Sequence, residues 1–136
     1  MKKILLAVFC LLTIPVLKAQ VPVPAGTWTM YEMSYVSNDG TQTMTEQQMK
    51  ANGSSTEYFL MEDGKFKMIS NMSGSGTMDT YEGTWKFADN KLTYTLTIGD
   101  RAMDITWNCE LADNTMKLTR TSPDGSLTIV NTFRRK

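Results

Sequence analysis

From residue 26 onward the chain alternates apolar and polar positions with a period of two. Leu92, Tyr94, Leu96 and Ile98 fall on one face of a run whose other face is Thr93, Thr95 and Thr97. Met103, Ile105, Trp107, Cys109 and Leu111 oppose Asp104, Thr106, Asn108 and Glu110. Phe66, Met68 and Met72 oppose Lys65 and Lys67; Met116, Leu118 and Arg120 share a face, as do Leu127, Ile129 and Phe133. Successive residues of a strand point to opposite sides, so each run is a strand with one dry and one wet face. That is the pattern of a soluble antiparallel sheet; a barrel in lipid would reverse it.

Turn chemistry sets the strand count. Asp63-Gly64, Asp89-Asn90, Gly99-Asp100, Asp113-Asn114 and Asp124-Gly125 can each supply the positive φ of a tight hairpin. Gly74-Ser75-Gly76 is a sixth, looser turn, and the stretch 38–54 is a seventh connection. The strands predicted between them are 26–37, 55–62, 65–73, 77–88, 91–98, 102–111, 115–122 and 126–134. Six of the links are short, so sequence neighbours pair in an up-and-down meander. Closing such a sheet removes its edges, which predicts an all-β, eight-stranded antiparallel barrel. A two-sheet sandwich would need longer crossovers. In the first strand Trp28 and Met30 lie on one parity and Met33 and Tyr35 on the other, which predicts a bulge near Tyr31-Glu32.

The 38–54 connection has a helix of its own. Thr45 and Gln48 have the spacing of a capping box, and Met44 and Met49 occupy the hydrophobic-staple positions. Glu46 in the first turn and Lys50 in the last suit the helix dipole, and Gly53 follows at a C-cap site. A short helix over 46–51 is expected, in the loop between the first and second of these strands.

Alternating strand direction assigns the connections to two ends. The 38–54 loop, Gly74–Gly76, Gly99-Asp100 and Asp124-Gly125 share one end. The other carries the start of the domain, the remaining turns and the C-terminus. Trp28, Trp85, Arg134 and Arg135 converge on that second end, where arginine over indole would form a plug.

The chain resembles the lipocalin-like proteins exported by Bacteroidetes-type bacteria. The matching residues are Gly26-Thr27-Trp28, Asp63-Gly64-Lys65-Phe66, Gly83-Thr84-Trp85-Lys86-Phe87, Lys91-Leu92 and Phe133-Arg134. Gly-x-Trp on the first strand, with a late Arg packing over that Trp, is similar to the lipocalin signature. The resemblance covers nearly the whole chain after residue 20 and implies a ligand-holding or structural barrel; it names no catalytic residue. The chain lacks the long C-terminal helix and the disulfides of typical lipocalins, which bears on transport function more than on fold.

Composition narrows the function. Residues 1–19 pair basic Lys2 and Lys3 with an apolar run from Ile4 to Leu17 and end in Ala19. They read as a secretory signal peptide, leaving a barrel domain at 20–136 in the periplasm or outside the cell. Cys10 sits within the apolar run, so a lipid-anchored start there is the less favoured reading. Removing the leader leaves 11 basic against 14 acidic side chains, which argues against a nucleic-acid partner or an anionic membrane surface. Membrane insertion is not expected, and a monomer is. Cys109 alone survives processing, so no internal disulfide forms.

The chain has no histidine, which removes Ser-His and Cys-His nucleophiles and most zinc sites. No catalytic residue, metal or cofactor is expected. Ten methionines follow the leader. They suit either core filling or a soft cavity lining, while copper(I) ligation would need tighter clustering. The candidates for a ligand-binding interior are Met68, Met72, Tyr94, Met103, Trp107, Leu118 and Arg120. A small hydrophobic or amphipathic ligand would enter at the 38–54 end, with Arg120 meeting a polar head and the 46–51 helix as a lid. The alternative is a filled barrel acting as a structural or protein-interaction module of the cell envelope. An eight-stranded barrel is the size at which both outcomes occur.

Overall fold

The computed structural model describes residues 23–72 and 76–136. The expected leader, with Cys10, and the centre of the Gly74-Ser75-Gly76 turn lie outside the described residues. Nine strands and one helix follow in order: β1 (Gly26–Ser37), β2 (Gly40–Thr45), α1 (Glu46–Ala51), β3 (Ser55–Leu60), β4 (Lys65–Asn71), β5 (Asp79–Ala88), β6 (Lys91–Ile98), β7 (Arg101–Leu111), β8 (Thr115–Thr121) and β9 (Leu127–Arg135). All neighbours pair antiparallel in the order β2-β1-β3-β4-β5-β6-β7-β8-β9, and β1 also pairs with β9. That last pairing closes an eight-stranded up-and-down barrel and rules out the sandwich. Asp89 and Asn90 both have positive φ, 52° and 57°, as a two-residue hairpin between right-twisted strands requires.

The expected bulge is present. The β1–β9 register shifts between Met30 and Glu32, so Tyr31 is the extra residue. On either side of it Trp28 and Met30, then Met33, all reach the core. The same point divides the other edge of β1. Its lower part, Gly26–Thr29, pairs with β3, and its upper part, Glu32–Ser37, pairs with β2.

β2 is the element absent from the sequence expectation. Thr41, Thr43 and Thr45 alternate with Gln42 and Met44, but nearly all of β2 is exposed, so no dry face marked it as a strand. It carries the chain back to mid-height, where α1 begins; β3 starts again at mid-height. Thr45 Oγ1 accepts from the Gln48 backbone N–H at 3.3 Å, and Gln48 Oε1 accepts from the Thr45 N–H at 2.9 Å, completing the capping box. Met49 is 2% exposed within the core cluster. The helix is therefore keyed into the wall where β2 hands over to β3; this corrects its expected place as a lid at the mouth, because a lid could not lift without exposing Met49.

The lower half of the barrel is filled. Phe66 stacks on Tyr94 with ring centres 4.5 Å apart, and Tyr58 meets Phe66 edge-on at 5.2 Å and Phe133 at 4.5 Å. Leu60, Leu92, Met116 and Leu118 fill the remaining space, all at 1% exposure or less. At the very end, Arg135 lies 4.3 Å over the Trp28 ring and donates from Nη1 to the Ala25 carbonyl at 2.7 Å. The Trp28 indole N–H donates to the Pro24 carbonyl at 2.7 Å. Trp85 is half-buried and donates to the Met61 carbonyl at 2.8 Å. Arg134 does not join this plug: alternation turns it outward, over Tyr31 at 4.7 Å and toward Glu46 of α1 at 3.6 Å.

Candidate functional site

The inward rows change character above mid-height. On β6, Leu92, Tyr94 and Leu96 are buried, while Ile98 on the same row is 46% exposed. On β7, Trp107 and Cys109 are buried, Ile105 is half-buried, and Met103 is 47% exposed. On β8, Met116 and Leu118 are enclosed and Arg120 is exposed. Met68 is half-buried and Met72, just past the end of β4, is exposed. The inward rows are packed below and exposed to solvent above.

The wall also parts at this height. β8 pairs with β7 only over Asn108–Leu111, while β7 pairs with β6 all the way to Arg101. Among the described residues, Arg101 to Trp107 have no partner on the β8 side. The gap begins beside Trp107 and Arg120, which would be the next opposed pair in that register. Both side chains therefore stand at the border of packed floor and open space.

Polar groups converge on that border. The Trp107 indole N–H donates to the Tyr94 hydroxyl at 3.1 Å, and the Tyr58 and Tyr94 hydroxyls lie 3.2 Å apart. Both tyrosines are buried, and among the described residues Tyr94 is the hydrogen-bond partner of the Tyr58 hydroxyl. The arrangement that strands no proton in the core has Tyr58 donating to Tyr94. Tyr94 then accepts twice, which leaves its own O–H without an acceptor among the described residues. Burial pushes both phenols above their ordinary pKa, Tyr58 most strongly. For Tyr94 burial is opposed by its hydrogen bonds to Tyr58 and Trp107 and by the charge of Arg120. Both hydroxyls remain protonated donors at neutral pH, and the guanidinium is close enough to be felt at Tyr94.

Of the expected lining, Tyr94, Trp107 and Arg120 are brought together at this border. Leu118 lies wholly enclosed in the row beneath Arg120, and Met68, Met72 and Met103 belong to the open half. Tyr58 was not among the expected residues, although Thr56, Tyr58 and Leu60 share the inward parity of β3. A second space lies beside the mouth. Tyr35, Gln42 and Met44 of the β1–β2 hairpin face Gln48, Ala51 and Asn52 across a cleft of about 390 Å³. The opposite end carries a cleft of about 480 Å³ lined by Phe87, Asp89, Asn90, Cys109 and Glu110. Burial pushes the Cys109 thiol up to about 11, so it is a neutral, unreactive group there. Among the described residues no group of three or more His, Cys, Asp or Glu side chains could hold a metal, and no helix is long and apolar enough to cross a membrane.

Comparison with curated proteins gives no match. A lipocalin-like protein of Bacteroides uniformis shares the fold at a TM-score of 0.53 and 16% identity, over 82% of this chain and 97% of that one. A protein from Bacteroides eggerthii does so at 0.53 and 19% identity, over 82% and 98%. The family model for the lipocalin-like domain matches residues 25–118, from the strand that carries Trp28 to the one that carries Arg120. With that match across most of a closed eight-stranded barrel, the chain belongs to the lipocalin-like domain family.

Proposed function

We propose that the open upper half of this barrel binds a small anionic amphiphile, head down. The observation that carries the reading is the Tyr94 hydroxyl, hydrogen-bonded to Trp107 and Tyr58 and within the field of the Arg120 charge. A guanidinium and a phenol together form charge-assisted hydrogen bonds to a carboxylate, stronger than neutral ones. Above them Met68, Met72, Ile98, Met103 and Ile129 offer an adaptable apolar lining, wet in the absence of a ligand. A tail placed there would cover surface that monomers rarely leave exposed.

The same reading makes this a binding protein without catalysis, exported to the periplasm or beyond and monomeric. The test is titration of hexadecanoate into the native protein and into Arg120→Gln and Tyr94→Phe variants. Arg120→Gln should weaken binding about tenfold or more, and Tyr94→Phe about threefold to tenfold, without loss of fold. Unchanged affinity in both variants would remove the site.

One observation favours the alternative of an interaction module. The unpaired edge of β7 from Arg101 to Trp107 is open to an added strand. Native mass spectrometry separates the two: a small co-purifying mass supports the ligand reading, and a polypeptide partner supports the other.

A further inference from the structure

β2 pairs with β1 alone, and the barrel closes without it through the β1–β3 and β1–β9 pairings. The β1–β2 hairpin is therefore a flap on the barrel wall. Tyr35 lies two residues beyond core Met33, on the same face of β1, and Gln42 of β2 is its direct partner. Two spaces share this pair. The first, of about 390 Å³, lies between Tyr35, Gln42 and Met44 on one side and Gln48, Ala51 and Asn52 on the other. The second, of about 310 Å³, extends to the hairpin tip and adds Ser37, Asp39, Thr41 and Leu127. They are two halves of one groove, and each has the size of a small-molecule site, about 300–1,000 Å³.

The lining narrows what can occupy it. It holds no lysine or arginine, so an anion finds no countercharge. Its single carboxylate, Asp39, falls short of the several charged or carbonyl oxygens that a hard cation takes. The carboxamides of Gln42, Gln48 and Asn52 make it a poor place for bare hydrocarbon. The Tyr35 ring is 38% exposed and has neither a ring contact nor a hydrogen bond among the described residues. The Gln42 and Asn52 carboxamides are unpaired there as well. Gln48 is held in place: its Oε1 accepts from the Thr45 N–H at 2.9 Å and the Thr45 hydroxyl at 3.2 Å, which leaves its NH₂ to donate.

A sugar ring matches this set. One face of a pyranose is a sheet of C–H groups, which suits the electron-rich face of an open aromatic ring. Its rim is hydroxyls that both donate and accept, as a carboxamide does and an ammonium or guanidinium does not. A carboxylate accepts from such hydroxyls without a cation beside it.

We propose that the β1–β2 groove binds a neutral oligosaccharide. One ring stacks on Tyr35 within reach of Gln42, Gln48 and Asn52, and the next lies at the hairpin tip and donates to Asp39. The site is separate from the acid-head site, because Tyr94, Trp107 and Arg120 line neither space.

The test is amide NMR of the native protein titrated with maltose, cellobiose, lactose and N,N′-diacetylchitobiose, and with glycerol as a plain polyol. At least one disaccharide should shift the signals of Tyr35, Gln42 and Asn52 with a Kd of about 0.1–10 mM. Tyr35→Ala should weaken it about tenfold or more, while Tyr35→Phe, which keeps the ring, should bind within about twofold. Asp39→Asn should weaken the disaccharide about threefold to tenfold and leave the corresponding monosaccharide unchanged. Arg120→Gln should bind the sugar as the native protein does. Failure of hexadecanoate to bind would remove the acid-head site and leave this one standing. No shift with any of the four sugars up to about 20 mM would overturn the proposal. So would equal shifts with glycerol, or shifts centred on Tyr94 and Trp107 in place of the groove.

Discussion

Single residues divide into those that close the lower end and those that face the open one. Gly26 belongs to the first group: a Cβ there would meet Arg135 Nη1 at 2.6 Å, and its φ is +138°. Gly26 leaves room for Arg135 to lie over Trp28, which is a physical reason for the Gly-x-Trp pattern with a late arginine. Gly26→Ala should cost about 1–3 kcal/mol through that backbone conformation. Arg135→Met should cost about 1–2 kcal/mol through the lost stack and the lost hydrogen bond to Ala25. Both are read as a lower midpoint in urea with an unchanged slope. Alternation also explains why only one of the two arginines joins the plug. Phe133 points in, Arg134 out and Arg135 in again, a distinction already present in the sequence once the strand is taken to its end.

Asp124 shows how pH acts at the open end. Hydrogen bonds from Ser122 and Ser126 hold its carboxyl down at about 2, below its ordinary 3.8. A depressed acid contributes stability above its unfolded pKa and loses it as pH falls toward the folded value. The β8–β9 turn should therefore loosen between about pH 4 and pH 2. Amide exchange at Ser126 and Leu127, which donate to Asp124 and Ser122, should accelerate over that range ahead of exchange in β6. Simultaneous loss of protection in both places would count against the local role.

Among elements, α1 is the most instructive. Its existence and its limits were legible, because a capping box and a staple are local signals. Its place was not. Whether a helix covers a mouth or sits in a wall depends on what its neighbours pair with, and β2 was invisible to a reading that looks for a dry face. Asn38-Asp39-Gly40, a turn signal inside the supposed loop, was the available clue. Because α1 is wall, its loss should be felt throughout the barrel. Thr45→Ala should cost about 1 kcal/mol and Met49→Ala about 2–4 kcal/mol, measured by chemical denaturation. A lid would give little change for either.

At the scale of the molecule, the eight strands of the barrel, its closure and the bulge at Tyr31 were legible because period-two alternation and turn dipeptides are short-range facts. The division into a packed lower half and an open upper half was not. It depends on how far β6 and β7 run past the strands beside them, and register across a closed sheet is a long-range property. For the same reason Tyr94, Trp107 and Arg120 could be named as inward residues, but their meeting point could not.

The upper interior as a site for an acid head is tested most directly by titrating hexadecanoate into the native barrel and into Arg120→Gln. The expected result is one molecule bound per chain, weakened about tenfold or more in the variant while the Tm of the ligand-free proteins stays the same. Equal affinity in the two proteins, or no binding to either, would contradict it.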